Sequence, residues 1–504
     1  MNILEKKIEE PIKVLLSGAT ISLLFGIVGY FLMFLFRLIA ARFYGPEKFG
    51  FFEMANTLLS IGGLISLIGI HTGVSRYIAV YEERKEFKKL KGYLKFIFQL
   101  PLLISLFISV AIFFTAPLLS GFFNFGKEFI AVVRIISLAV PFKVINEIMY
   151  QIFFAKKKVF FQNLASNIIE KGILVLGIFL TYFFDLSIIY AIWLLVLSVF
   201  VSSMSSLLYL KLRIYFEKDA QTLNNYKDWL YFSIPMFMVS ISSFFINWTD
   251  NIVIGKVLTS YDLGIYATSF SLASFLLFFQ SSFIGIFVPT MSRLYAGDKK
   301  EEFLEMYKKA QNWVFALSLP FGLFFIFFAE DLIRTLFGQS YLGGSLPLII
   351  LSAGLLINVY TGINAPLMRV VKKTIFLFKT KLIFAVFNVI LSVVMAKKMG
   401  ISGVAIATAI SISGEQLVCF LKTRSYFKVR HNNINNFKIF ILGIVLILII
   451  SSVFKILHHY NHIATLILAG ILYLAFFFIA LVLFKVFDKN DLIIVKSLAN
   501  GRQK

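Results

Sequence analysis

Along the chain, long apolar stretches alternate with short polar breaks, and runs such as Ile173 to Phe184 and Ile439 to Ile450 carry no charged residue. A bilayer core of about 30 Å is crossed by a helix of roughly 20 mostly apolar residues. Fourteen segments meet that description, at approximately 15–40, 49–74, 94–118, 129–154, 162–184, 187–210, 230–256, 263–290, 305–329, 345–368, 376–396, 401–422, 437–457 and 463–485. Gly45-Pro46, Gly121, Gly343-Gly344 and Gly400 fall between segments, where surface turns are expected. Pro141, Pro235, Pro289, Pro320 and Pro366 lie within segments or near their ends, as kinks that neighbouring helices tolerate or as hinges. The predicted fold class is an all-α integral membrane protein of about 14 transmembrane helices. Met1 to Lys13 is polar and charged, and the first apolar run is long and lacks a small-residue cleavage site. That run is therefore expected to stay as a membrane helix.

Composition excludes the soluble alternative. Hydrophobic residues make up 59% of the chain and charged residues 15%, and mean hydropathy is +0.87, whereas soluble proteins average about 25% charged residues. The net charge of +23 would suggest nucleic acid in a soluble protein. Here 37 of the 49 Lys and Arg residues fall in the termini and every second connection. The tendency of basic residues to stay inside then predicts a multi-pass protein of the cytoplasmic membrane, with both termini cytoplasmic and no nucleic-acid partner. Membrane lipids are expected partners.

Catalytic chemistry finds little support. No connection exceeds about twenty residues, and there is neither a phosphate-binding loop nor His/Cys metal spacing. The single cysteine, Cys419, excludes an internal disulfide. His458, His459 and His462 cluster at one segment end, as metal ligands or as a solvated turn. The expectation is a protein that is not an enzyme, with no metal and no cofactor.

Motifs recur at one spacing. Phe43-Tyr44-Gly45-Pro46-Glu47-Lys48-Phe49-Gly50-Phe51-Phe52 is echoed 214 residues later by Val257-Leu258-Thr259-Ser260-Tyr261-Asp262-Leu263-Gly264-Ile265-Tyr266. Ser75-Arg76-Tyr77 is echoed by Ser292-Arg293-Leu294 at 217, and Lys157-Lys158 by Lys372-Lys373 at 215. The common register predicts two pseudo-symmetric six-helix bundles, residues 1–214 and 215–430, followed by two additional helices and a basic tail in 431–504. Even-numbered halves share one orientation, and repeated halves that rock about a site between them are an architecture of alternating access.

The stretch Arg42 to Gly50 resembles the opening motif of polysaccharide and oligosaccharide flippases of the multidrug/oligosaccharidyl-lipid/polysaccharide exporter superfamily. Trp248-Thr249-Asp250-Asn251-Ile252-Val253-Ile254-Gly255, Leu263-Gly264-Ile265-Tyr266 and Pro289-Thr290-Met291-Ser292-Arg293-Leu294 follow in the family's order, and the resemblance covers about residues 15–430. It implies a cavity framed by helices one, two, seven and eight, through which a polyprenyl-linked sugar crosses for cell-surface glycan synthesis. The last two helices resemble those of the lipid II flippase branch. The resemblance implies a lipid-linked oligosaccharide as the partner, with glycan-assembly enzymes beside it, and coupling to an H+ or Na+ gradient through Asp250. Two alternatives stand: a cation-coupled multidrug antiporter of the same superfamily, expected to have an acidic and aromatic cavity, and a non-transporting scaffold of an envelope-synthesis complex. A major facilitator carrier would show an Asp-Arg-x-Gly-Arg-Arg-like loop where this chain reads Ser75 to Arg84.

Ionisable residues inside membrane segments are costly, so each is a candidate site residue. Lys143 and Glu147 are four apart and share a helix face. Glu170 and Lys171 are adjacent, so they point about 100° apart. These four either neutralise one another or supply an ammonium, from Lys143 or Lys171, for the diphosphate of a lipid-linked sugar. Arg37 either snorkels to the interface or lines the cavity. Glu53 and Glu415 are lesser candidates, and Asn56, Asn247, Gln280 and Asn358 can hydrogen-bond sugar hydroxyls or neighbouring helices.

Overall fold

A computed structural model of the protein describes residues 3–213, 222–371, 373–427, 434–457 and 462–483. Among the described residues the chain is helical, with short turns and no strand. The helices are α1 (Ile3–Leu67), α2 (Ile70–Glu83), α3 (Phe87–Phe123), α4 (Lys127–Ser137), α5 (Val140–Ala155), α6 (Val159–Asn163), α7 (Glu170–Phe183), α8 (Ile188–Arg213) and α9 (Tyr226–Val257). There follow α10 (Ser260–Ala273), α11 (Phe275–Ala296), α12 (Lys300–Phe327), α13 (Ala329–Leu336), α14 (Ser345–Thr361), α15 (Asn364–Val370), α16 (Thr374–Phe427), α17 (Ile434–Leu457) and α18 (His462–Leu483).

By length and apolarity, nine described helices can cross a membrane, or eleven when each of two bent pairs counts as one span. Fourteen is the sequence expectation. Two of the long helices are hairpins in themselves. Arg37 and Glu53 are sixteen residues apart in α1, about 24 Å along a straight helix, yet Arg37 Nη2 lies 3.3 Å from Glu53 Oε2. The chain folds back at Gly45, whose φ of 74° and ψ of 172° belong to a region open essentially to glycine alone. In α16, Asn388 Nδ2 reaches Thr408 Oγ1 at 3.4 Å across twenty residues, and the reversal sits at Gly400 with φ 59°. Elsewhere Pro141 occupies the first turn of α5 and separates it from α4, a place where its missing N–H costs nothing.

The chain divides into two compact units, Thr20–Ala267 and Thr268–Lys504 with Met1–Ala19. The first unit contains α9, the first helix of the predicted second half. Its core gathers Val74, Ile78, Tyr93, Phe96, Ile148 and Trp229. Trp229 Nε1 donates to Tyr81 Oη at 2.9 Å, and Gly69 leaves no room for a side chain against the backbone of Ser233 and Phe237, so α9 seats closely on α2. At the other end of α9, Asn251 Nδ2 donates to Thr57 Oγ1 at 2.9 Å. The echoed motifs meet there: a side chain on Gly50 would strike the Ser260 carbonyl, and one on Gly264 would strike the Pro46 carbonyl. Pro46 and Ser260 are themselves 214 residues apart, as are Gly50 and Gly264, so the contact is reciprocal.

In the second unit, Phe287, Tyr307, Trp313, Ile363, Leu367 and Met368 form the core between α11, α12 and α15. The last two helices pack through small residues, with Gly443 against Leu319 and Phe477 and Tyr473 Oη donating to the Gly443 carbonyl at 3.3 Å. Left-handed turn residues recur at nearly the motif spacing: Lys85 and Asp298, Gly126 and Gly338, Asp185 and Gly400.

Candidate functional site

The four central charges predicted from the sequence come together in the first unit. Lys143 Nζ lies 3.4 Å from Glu147 Oε1 on α5, and Glu170 is close enough to act electrostatically on the same ammonium. Glu170 and Lys171 diverge, as adjacent helical residues must. Glu170 Oε2 accepts from Tyr150 Oη at 3.2 Å, while Lys171 Nζ donates to Asn167 Oδ1 at 2.8 Å. Tyr150 Oη also lies 3.2 Å from Ser202 Oγ on α8, and Ser202 Oγ donates to the Ala165 carbonyl at 3.2 Å.

The backbone between α6 and α7 explains how Asn167 and Glu170 reach these partners. Leu164–Ile169 forms a π-helical turn, whose wider winding shifts the faces on either side of it and is frequent at functional sites. Asn167 Nδ2 donates in turn to Asn163 Oδ1 at 3.0 Å, and a side chain on Gly29 would collide with Asn167. Gly63 lies beside the Lys143 stem. His71 on α2 completes the ring: it interacts electrostatically with Glu147, and its Nδ1 is buried without a hydrogen-bond partner.

Tyr150, Asn167, Ser202 and His71 were not singled out from the sequence. The spacing Asn163, Asn167, Lys171 is a four-residue ladder that was legible. Tyr150, three residues after Glu147, shares its face. Ser202 and His71 are brought in from other helices, so no local signal marked them.

A second constellation in the same unit sits near the Gly45 reversal. Glu53 is buried at 2% exposure beside Arg37 at 19%, with Arg37 Nε 3.2 Å from Glu53 Oε1. Only the Nη2 contact has hydrogen-bond geometry; Nε and Oε1 are close but misaligned. Arg37 therefore pairs across the hairpin. Asp250 is buried and accepts from Tyr266 Oη. Asn56 is half-buried, one residue before Thr57. Asn247 lies in α9, with its side chain outside the described residues.

Gln280 belongs to the second unit. Its Nε2 donates to the Gly362 carbonyl at 3.1 Å, and Gln416 donates to the same oxygen. Gln311 Nε2 caps the Tyr360 carbonyl at 2.8 Å and that of Thr361 at 3.2 Å. Asn358 Nδ2 reaches the Ile412 carbonyl at 3.5 Å. The three glutamines close the break between α14 and α15, where backbone carbonyls released inside a membrane protein need donors. Glu415, half-buried, interacts with Lys381. Of the clustered histidines, His458 and His459 lie outside the described residues, as does the side chain of His462. No group of three metal-ligating side chains occurs among the described residues.

Known proteins give this geometry a family. The model of a family described as "Polysaccharide biosynthesis protein" matches residues 39–346, more than half of the chain. The chain belongs to this family. It is 24% identical over 196 residues to a protein of Haloferax volcanii named "Probable low-salt glycan biosynthesis flippase Agl15", a match over 39% of this chain and 40% of that protein. The chain thus spans less than half of that relative's length in the match. Among solved structures it resembles the lipid II flippase MurJ in an inward closed conformation, with a TM-score of 0.67 at 19% identity, covering 93% of this chain and all of that one. It also resembles a multidrug resistance MATE family transporter in an inward-facing conformation, with a TM-score of 0.62 at 17% identity, covering 81% and 98% of the two chains. The family member described here is thus a multi-pass, all-helical membrane protein with the fold of these transporters.

Proposed function

We propose that this polysaccharide biosynthesis protein is a flippase that moves a polyprenyl-diphosphate-linked oligosaccharide across the cell membrane by alternating access, with both termini cytoplasmic. The observation that carries the reading is the Lys143 and Lys171 pair in a membrane-embedded cluster, 3.4 Å and 2.8 Å from polar partners that an anion can replace. An ammonium in a low-dielectric surrounding attracts a diphosphate strongly, and the flippase relative and the fold agree with that cargo. On this reading the protein performs no covalent chemistry, needs no cofactor, and works beside glycan-assembly enzymes. Asp250 is the residue through which an H+ or Na+ gradient drives the cycle, since neutralising a buried carboxylate changes the charge that each opening must bury.

The MATE likeness supports a cation antiporter through fold alone, and a cluster that sets two lysines beside its two glutamates suits a cation less well than an acidic one. The test is export by cells that carry Lys143→Ala, Lys171→Ala or Arg37→Ala. Surface glycan display should fall at least about tenfold for each lysine variant, equivalent to about 1.4 kcal/mol of lost interaction, with the protein still inserted. Normal display in both lysine variants refutes the diphosphate site. Binding of cationic dyes but not of a labelled lipid-linked oligosaccharide by the purified protein would favour the antiporter.

A further inference from the structure

The lysines of this cluster are not free to receive an anion. Two ammonium groups, Lys143 and Lys171, face two carboxylates, Glu147 and Glu170, with His71 and Tyr150 alongside. The four formal charges cancel, so the resting site has no net attraction for a diphosphate. One of the internal carboxylates must move away before substrate can bind.

The geometry identifies which one. Glu170 is tethered to a second helix by Tyr150, and Tyr150 lies beside Ser202 on a third. Glu147 has no such tether. Its one close polar partner among the described residues is Lys143, on its own helix one turn away, and its side chain keeps 34% of its surface exposed. A pair within a single helix joins no two helices, so holding the fold together does not explain why a carboxylate sits there. Lys143 is its closest charged partner, and His71 of α2 acts on it only electrostatically.

We propose that Glu147 is an exchange anion: it occupies Lys143 when the site is empty, yields the ammonium to the diphosphate of the cargo, and returns to expel that diphosphate on the far side. The proposal rests on the flippase reading above and adds a release step to it. A site that only attracted diphosphate would hold its cargo too tightly to turn over, because binding that is equally strong in every state of the cycle deepens a trap. A competing carboxylate beside the ammonium limits the affinity and provides the counter-charge left behind after release. Glu147 thereby acts through Lys143 and is a positioning residue.

The experiment uses the full chain in lipid nanodiscs, with geranylgeranyl diphosphate as the binding probe. Translocation is read separately in proteoliposomes with a fluorescent geranylgeranyl-diphosphoryl-N-acetylglucosamine. Glu147→Gln should bind the diphosphate about tenfold more tightly than wild type and translocate more slowly at saturating probe. A merely structural role for Glu147 would weaken both. Glu147→Asp, whose shorter side chain draws the carboxylate back from Lys143, should shift in the same direction by a smaller factor, and it serves if the Gln variant does not fold. Lys143→Ala should lose the probe. If Lys143→Ala binds as wild type does, the diphosphate site itself is wrong. If Lys143→Ala loses binding while the Glu147 variants bind no more tightly, the site stands and the exchange role is overturned.

Discussion

The two copies of the repeat differ most where ionisable residues stand in the first. At an offset of 214 residues, the Arg37 and Glu53 pair is matched by Asn251 and Ala267. At 215, Lys143 and Glu147 are matched by Asn358 and Gly362, and Glu170 and Lys171 by Ala385 and Val386. Polar groups in the charged copy form ion pairs with partly exposed members. In the other copy Gln280, Gln311 and Gln416 are spent on backbone carbonyls at the α14–α15 break. On the proposed reading one copy offers chemistry to a ligand, while the glutamines of the other hold a broken helix. Asp250 and Tyr266 run the other way, since their counterparts Phe36 and Phe52 form a ring contact at 5.0 Å.

Three variants probe that division. The largest loss of stability is expected from Arg37→Ala, which leaves Glu53 buried at 2% exposure without its partner. Stranding one member of a buried pair costs about 3 kcal/mol, the lower end of the usual range being apt because Arg37 keeps 19% exposure. Adding Glu53→Gln should recover most of it in thermal unfolding. If the double variant is no more stable than the single, the pair is not coupled. Gln416→Ala should cost about 1–3 kcal/mol through the weakened capping of the Gly362 carbonyl, with export per inserted molecule unchanged. A loss of export at normal stability would place a ligand at the amide cluster and erase the contrast between the copies. Asp250→Asn keeps an acceptor for Tyr266 and should cost less than about 1 kcal/mol, while transport loses its dependence on the H+ or Na+ gradient. Unchanged gradient dependence would remove Asp250 as the coupling residue.

The helical segments were legible in the sequence because a membrane imposes a length and an apolarity on anything that crosses it. Gly45 and Gly400, marked as breaks, are the hairpin reversals inside two continuous helical stretches. The site was half legible. A charge in an apolar run announces itself, so Lys143, Glu147, Glu170 and Lys171 stood out, and the four-residue spacing predicted the Lys143–Glu147 pair. The partners that make the cluster a site did not stand out. Ser202 and His71 are ordinary residues until α8 and α2 carry them beside α5. The π turn at Leu164–Ile169 left no trace in a pattern read at 3.6 residues per turn. Asp250 was singled out as a coupling residue, but its partner Tyr266, sixteen residues away, was not.

By itself the sequence determined that this protein lives in a membrane, that it is all helix, and that its motifs recur at one register, since each of these follows from short-range pattern and composition. Tertiary structure alone decided which charges distant in the chain meet. It set Arg37 on Glu53 across a hairpin, tethered Glu170 to a tyrosine from a neighbouring helix, and brought His71 of α2 toward Glu147. The reason is physical: an ion pair forms at a few ångströms, and only packing determines which residues distant in the chain come that close.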